Sequence, residues 1–191
     1  MAHRAGLDDA IILRAAGELA DAEGFEQLSL LRLAERLHVR SPSLYKHVGG
    51  LDDVRRGLAL LGAQTLASRF AHAAIGKSGA DAVRAVSVAY RAFAREHPGL
   101  YTAIQRAPAQ DDHALIAASQ EIIDILRRVL EPWRLDETRA IHAIRMLRSL
   151  THGFVSLEAS GGFGMPVDLE QSYDYAITLF IEGLDREAAA S

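Results

Sequence analysis

Ser29-Leu30-Leu31-Arg32-Leu33-Ala34-Glu35-Arg36-Leu37-His38-Val39-Arg40-Ser41-Pro42-Ser43-Leu44-Tyr45-Lys46-His47-Val48 is the stretch that decides the fold. Ser29 suits an N-cap, where a hydroxyl accepts a backbone N–H that has no intrahelical partner. Leu33, Ala34 and Leu37 then share one helical face. A second short helix starts at Ser41-Pro42: serine caps it, and proline at the first helical position gives up an N–H that would have no partner anyway. Only His38-Val39-Arg40 lies between the two. Short helices across so tight a connection have helix-turn-helix spacing, in which the second helix enters the DNA major groove. Ala34 is small where the helices cross, and Val39 and Leu44 plug the core they share. Apart from Leu44, the second helix carries groups suited to DNA: serine hydroxyls, the Tyr45 phenol, the Lys46 ammonium and the His47 ring N–H.

Outward from this pair, leucine and alanine recur at three- and four-residue spacing, and no stretch alternates as a strand would. The punctuation divides the chain into about nine helices. The first runs from about Asp8 to Glu23 and ends at Gly24, where left-handed dihedrals favour glycine. Leu30 and Leu31 of the next helix are read as packing residues. Gly49-Gly50 ends the third helix. The spacing then predicts helices over 51–74, 80–96, 98–106, 111–130, 136–159 and 169–184, separated by glycine and proline loops. The 188–191 tail is read as frayed, and so is the N-terminal segment that carries Arg4.

Composition narrows the function. The chain has 191 residues, 49% hydrophobic and 24% charged, which is ordinary globular material. Its formal charge is −4, so a nucleic-acid site has to be a local patch. One exists: between positions 32 and 56 stand six basic residues, Arg32, Arg36, Arg40, Lys46, Arg55 and Arg56, against three acids, Glu35, Asp52 and Asp53. The absence of cysteine excludes disulfides, zinc–cysteine sites and thiol catalysis. No apolar run approaches the ~18 residues of a membrane span and no signal-peptide core follows the N-terminus. The reading is therefore a cytoplasmic protein without a membrane partner. The eight histidines show no ligand spacing, and no nucleophile elbow, phosphate loop or dinucleotide fingerprint is present. Neither an enzyme, nor a metal site, nor a cofactor is expected.

The segment Val39-Arg40-Ser41-Pro42-Ser43-Leu44-Tyr45-Lys46-His47-Val48, with its Leu-Tyr-x-His core, resembles the recognition segment of the tetracycline-repressor (TetR) family. The preceding stretches 15–25 and 29–37 resemble that family's first two helices. The resemblance implies a dimeric transcriptional regulator, usually a repressor released from a DNA operator by a small molecule. It implies DNA contacts at Arg40, Ser41, Pro42, Ser43, Tyr45, Lys46 and His47, with Ser29 as a phosphate-contacting cap. Two positions depart from the family pattern. His38 stands where many members have glycine, and histidine tolerates left-handed dihedrals better than most residues. Leu51 stands where many have a phosphate-contacting lysine, so that contact is lost unless Arg55 or Arg56 replaces it. Later, Arg148-Ser149-Leu150-Thr151-His152-Gly153-Phe154 resembles a subclass of TetR-type C-terminal domains marked by a tryptophan shortly before a His-Gly pair; the His-Gly is present and the tryptophan is not.

The expected architecture is all-α, with a DNA-binding domain over 1–54 and a ligand-binding and dimerisation domain over 55–187. Ala143, Met146, Leu147, Leu150, Phe154 and Leu157 form one broad face, and Tyr173, Ala176, Ile177, Phe180 and Ile181 another. Two such helices from each subunit of a homodimer would build a four-helix bundle across a two-fold axis. Tyr90, Phe93, His97 and Tyr101 are read either as lining an effector cavity or as plain core. Arg145, Arg148 and His152 fall on one stripe with Ile141. They serve either an anionic ligand or ion pairs with Glu158, Glu170, Asp174 or a partner subunit. Trp133 is read as a packing anchor. The rival readings are an all-α carrier or enzyme whose N-terminal helices are only structural, and a DNA-binding regulator without a ligand.

Overall fold

The computed structural model describes residues 7–189. Among these it contains nine α-helices: α1 (Asp9–Glu23), α2 (Leu30–Arg36), α3 (Ser41–Leu44), α4 (Leu51–Ala74), α5 (Gly79–Glu96), α6 (Pro98–Ala103), α7 (His113–Leu130), α8 (Glu137–Ala159) and α9 (Leu169–Ala189). Short 3-10 turns at Phe25–Gln27 and Glu131–Trp133 complete the element order. Arg4 lies outside the described residues.

Caps explain most helix starts. Asp8 accepts from Ile11 N–H at 2.7 Å, Ser29 from Arg32 N–H at 3.3 Å and Asp136 from Arg139 N–H at 2.8 Å. Each side chain satisfies one of the backbone donors that a helix start leaves open. Asp112 does the same for α7 through Leu115 N–H, so α7 begins after Asp112 and not at Asp111. Ser41 is the first residue of α3, and Arg40, in extended conformation, holds the cap position without a side-chain bond; the expected serine cap is shifted by one residue. α9 continues past Leu184 to Ala189, because alanine is the best helix former and no breaker intervenes.

The chain divides into two compact units. The first joins the chain up to Gln64 with Glu96–Ile116, and the second joins Thr65–Arg95 with the chain from Ala117 onward. In the first unit Ile12, Ala16, Leu19 and Ala20 of α1 are buried, with Leu33 and Ala34 of α2, Leu44 of α3 and Val54 and Leu58 of α4. α6 lies directly on α1. A Cβ on Gly99 would stand 2.5 Å from the Ala20 Cβ and 2.6 Å from its carbonyl carbon. Gly99 N–H donates to Asp21 Oδ1 at 2.7 Å. Gly62 gives α4 an equally close approach to α6, its absent Cβ falling 3.0 Å from the Leu100 carbonyl oxygen. In the second unit Phe93, Val83 and Val86 of α5 are fully buried. Trp133 is buried as expected, its indole N–H donating to Asp185 of α9 at 2.7 Å.

Candidate nucleic-acid interface

The connection between α2 and α3 is built from backbone bonds. Val39 N–H donates to Ala34 C=O at 3.0 Å, and His38 N–H donates to Glu35 C=O at 3.1 Å. This is the Schellman pattern, which needs a left-handed residue at its centre. His38 supplies it with φ 54°. The turn therefore forms without glycine, and it carries α3 away from α2. Leu44 is fully buried, Val48 is buried and Val39 is half-buried, so the helix pair shares one small core. α3 itself ends at Leu44. Tyr45, Lys46 and His47 follow as turn residues, with His47 and Val48 N–H groups both donating to the Leu44 carbonyl. The expected helix through His47 is thus shortened.

Around that core the candidate DNA contacts spread over one connected stretch. Arg40, Pro42, Tyr45 and Lys46 are exposed, while Ser29, Ser41, Ser43 and His47 are half-buried. Leu31, expected to pack, is 63% exposed instead, whereas Leu30 is half-buried.

The charges are arranged selectively. Arg32 pairs with Glu23, and Arg36 with Glu18 at 2.7 Å. Arg56 grips Asp112 in bidentate fashion, Nε to Oδ2 at 2.5 Å and Nη2 to Oδ1 at 2.9 Å. That pair holds the Asp112 carboxyl below its ordinary range, through the hydrogen bond from Arg56, and raises the Arg56 guanidinium in return. Arg55 stands 3.9 Å from Glu26 and 4.0 Å from Asp52, at the limit of contact. The His47 ring meets Asp9 at 3.3 Å. Of the six basic residues between 32 and 56, Arg40 and Lys46 alone make no ion pair with a described residue. Arg32, Arg36 and Arg56 are thus held in ion pairs within the fold, while Arg40 and Lys46 beside α3 are not.

Residues 83–180 match the family described as tetracyclin repressor-like, C-terminal domain. The chain is 36% identical over 184 residues to the uncharacterized HTH-type transcriptional regulator YobS of Bacillus subtilis, covering 96% of both. The chain belongs to the TetR family. It is also 31% identical over 187 residues to the uncharacterized HTH-type transcriptional regulator Rv0681 of Mycobacterium tuberculosis, covering 97% of this chain and 85% of that one. A Rhodococcus protein of unknown function shares the TetR-type fold at a TM-score of 0.79 and 22% identity, covering 95% and 97% of the two chains. This TetR-family protein is a DNA-binding transcriptional regulator of the helix-turn-helix class. No described helix is long and apolar enough to cross a membrane, and no three acidic or histidine side chains among the described residues gather as metal ligands.

The remaining candidates, all within residues 83–180, fall in different places. Tyr90 and Phe93 are buried in the second unit. His97 and Tyr101 are half-buried in the first, where the His97 ring lies 3.4 Å from Asp21. On α8, Arg145 and Arg148 are exposed and His152 is half-buried. Glu158, Glu170 and Asp174, singled out as possible partners for those arginines, are bonded by arginines of α5. Arg84 bonds Asp174 at 2.6 Å. Arg91, 4% exposed, donates to both Glu158 oxygens at 2.9 and 2.6 Å and to Glu170 at 2.6 Å. Its guanidinium also lies 5.3 Å from the Phe154 ring and 4.9 Å from the Tyr173 ring. Arg95 adds a bond to Glu158 at 2.8 Å. The hydrogen bonds from Arg91 hold Glu158 below its ordinary range, against the desolvation that burial imposes. Sequence reasoning passed over Arg91. The signal was its place on the apolar stripe of α5, in register with Val83, Ser87 and Tyr90.

Proposed function

We propose that this regulator is a homodimeric repressor that leaves a palindromic DNA operator when a small molecule binds. The observation that carries the DNA half is the charge pattern: Arg40 and Lys46 stay unpaired beside α3 while Arg32, Arg36 and Arg56 are held in ion pairs within the fold. Unpaired cations release condensed counterions when phosphates replace water around them. Arg40, Ser41, Pro42, Ser43, Tyr45, Lys46 and His47 are the proposed contacts, with Ser29 at the phosphate backbone.

Two helices support the dimer. Met146 and Leu157 on α8 and Tyr175 and Leu179 on α9 are large apolar side chains left exposed. Gly153 and Gly183 lie inside the same two helices, and a Cβ on either would meet nothing within 4 Å in this chain. Glycine inside a helix costs about 0.5–1 kcal/mol relative to alanine. A second copy of α8 and α9, packed closely into a four-helix bundle, gives that cost a purpose. A dimer reads two half-sites one helical turn apart, so palindromy follows from the two-fold axis.

DNA binding is assigned to residues 1–54, and effector binding and dimerisation to 55–187, in a C-terminal domain of the His-Gly subclass. Tyr90, Phe93, His97, Tyr101, Arg145, Arg148 and His152 are the effector-contact candidates, and the protein works in the cytoplasm. Effector binding favours a conformation whose α3 helices no longer match successive major grooves. α4 is the lever, since it runs without a break from one unit into the other. α6 sits against α1 at Gly99 and adds a second route to the reading head. Fluorescence anisotropy with wild type, Tyr45→Ala and Lys46→Ala tests the DNA half. Both variants are expected to bind at least tenfold more weakly with their melting temperatures unchanged. Equal binding by all three would leave the N-terminal helices as mere structure.

A further inference from the structure

Resting on that DNA-binding reading, we propose that Asp112 is a positioning residue for the reading head, tying the start of α7 through Arg56 to the turn of α4 that seats α3. One carboxylate does two jobs. Its Oδ2 accepts from Arg56 Nε at 2.5 Å, and its Oδ1 accepts from Arg56 Nη2 at 2.9 Å and from Leu115 N–H at 3.1 Å, the cap of α7. The backbone beneath it is fixed as well, since Asp112 N–H donates to Ala109 C=O at 3.0 Å. Clamp and cap therefore stand or fall together.

The two sides of the clamp lead to different places. On α4, Val54 and Leu58 on either side of Arg56 are fully buried in the first unit, as is Leu44 of α3. Asp53 of the same turn accepts from Gly49 N–H at 3.0 Å and so holds the link from α3 to α4. A Cβ on Gly57 would fall 2.5 Å from Leu13 Cδ2, so this stretch of α4 also lies against α1. On the other side, α7 starts at His113 in the first unit and continues from Ala117 in the second. Arg56 and Asp112 thus join, within the first unit, two helices that both continue into the second. Exposure decides which partner suffers when they part. The Arg56 side chain is 54% exposed and that of Asp112 only 8%. If α4 turns away, the guanidinium returns to water, but the carboxylate is left buried and the first turn of α7 opens. A shift of α7 acts on α4 in return, as linkage requires.

Hydrogen exchange of the full-length protein tests the coupling directly. Binding of the duplex that the wild type enriches from a random library should slow exchange of the Leu115 N–H, and Arg56→Met should remove that slowing. Asp112→Asn keeps an acceptor for the Leu115 N–H but cannot also receive two guanidinium bonds. Its affinity for the enriched duplex should fall roughly tenfold, within the range of about 5–150-fold usual for coupled sites, while its affinity for an unselected duplex stays unchanged. Exchange at Leu115 that is indifferent to DNA overturns the assignment, and so do equal losses on the two duplexes. An Asp112→Asn variant that binds the enriched duplex as the wild type does also overturns it. Tighter binding does the same, because it would make Arg56 a DNA contact that Asp112 restrains. Failure of the wild type to enrich any duplex would instead defeat the DNA-binding reading itself.

Discussion

Replacing Arg91 by methionine is the most informative perturbation of the C-terminal domain. Methionine keeps much of the length and apolar body of arginine but none of its donors. Arg91 makes three hydrogen bonds to Glu158 and Glu170 and sits against two aromatic rings. Glu170 is largely exposed and returns to water at little cost, so it adds little to the loss. Glu158 is only 12% exposed and cannot. Breaking a buried pair by removing one partner costs about 3–5 kcal/mol, and the remaining bond from Arg95 places this case near 3 kcal/mol. For a chain of this size that corresponds to a fall of roughly 6–12 °C in Tm. Melting must be followed at one fixed protein concentration, because dimerisation adds to apparent stability. The decisive comparison is the double variant Arg91→Met with Glu158→Leu. It removes the stranded carboxylate and should recover most of the loss, a coupling of about 2 kcal/mol in the cycle. A single variant that loses under ~0.5 kcal/mol, or a cycle that is additive, would refute the view that this network clamps α5 to α8.

Glu158 and Asp112 are both held below their ordinary range by arginine. A carboxylate with a lowered folded pKa gives stability that is complete above its unfolded value, about 4, and lost as pH falls through the folded value. Denaturant melts between pH 7 and 3 should therefore show a steeper acid loss for wild type than for the Arg91→Met, Glu158→Leu double variant. Gly99→Ala would drive a methyl into Ala20 and is expected to cost about 1–3 kcal/mol, seen as a lower denaturant midpoint. At His38, φ 54° makes a β-branched residue expensive. His38→Val should lose roughly 1–2 kcal/mol, whereas His38→Gly should be nearly neutral, relief of strain offsetting the freedom glycine gains when unfolded.

The helices that sequence located best are those with strong punctuation. α4 runs over 51–74 as its flanking glycines indicate, and Asp136 and Ser29 cap where their spacing suggests. α3 was harder. Nothing in Tyr45-Lys46-His47 disfavours helix, yet the chain leaves it there through a turn folded back on the Leu44 carbonyl. Leu31 illustrates a different gap: hydrophobicity alone does not say which side of a seven-residue helix faces the core. The patch of six basic residues was legible as a sum, but not which of them the fold neutralises. Glu18, Glu23 and Asp112 lie 18, 9 and 56 residues from their arginines, and only the packing of α1, α2, α4 and α7 brings them together. Arg91 stands on the apolar stripe of α5, but its carboxylates lie 67 and 79 residues away and its pairing is hidden for the same reason.

The central claim is that this reading head recognises a DNA sequence as a symmetric dimer. Selection of the purified protein against a random double-stranded DNA library at near-physiological salt tests it most directly. The account predicts enrichment of a palindrome whose half-sites are about one helical turn apart, and loss of that enrichment in Lys46→Ala. Recovery of no sequence above background, or of a single unpaired half-site, would contradict it.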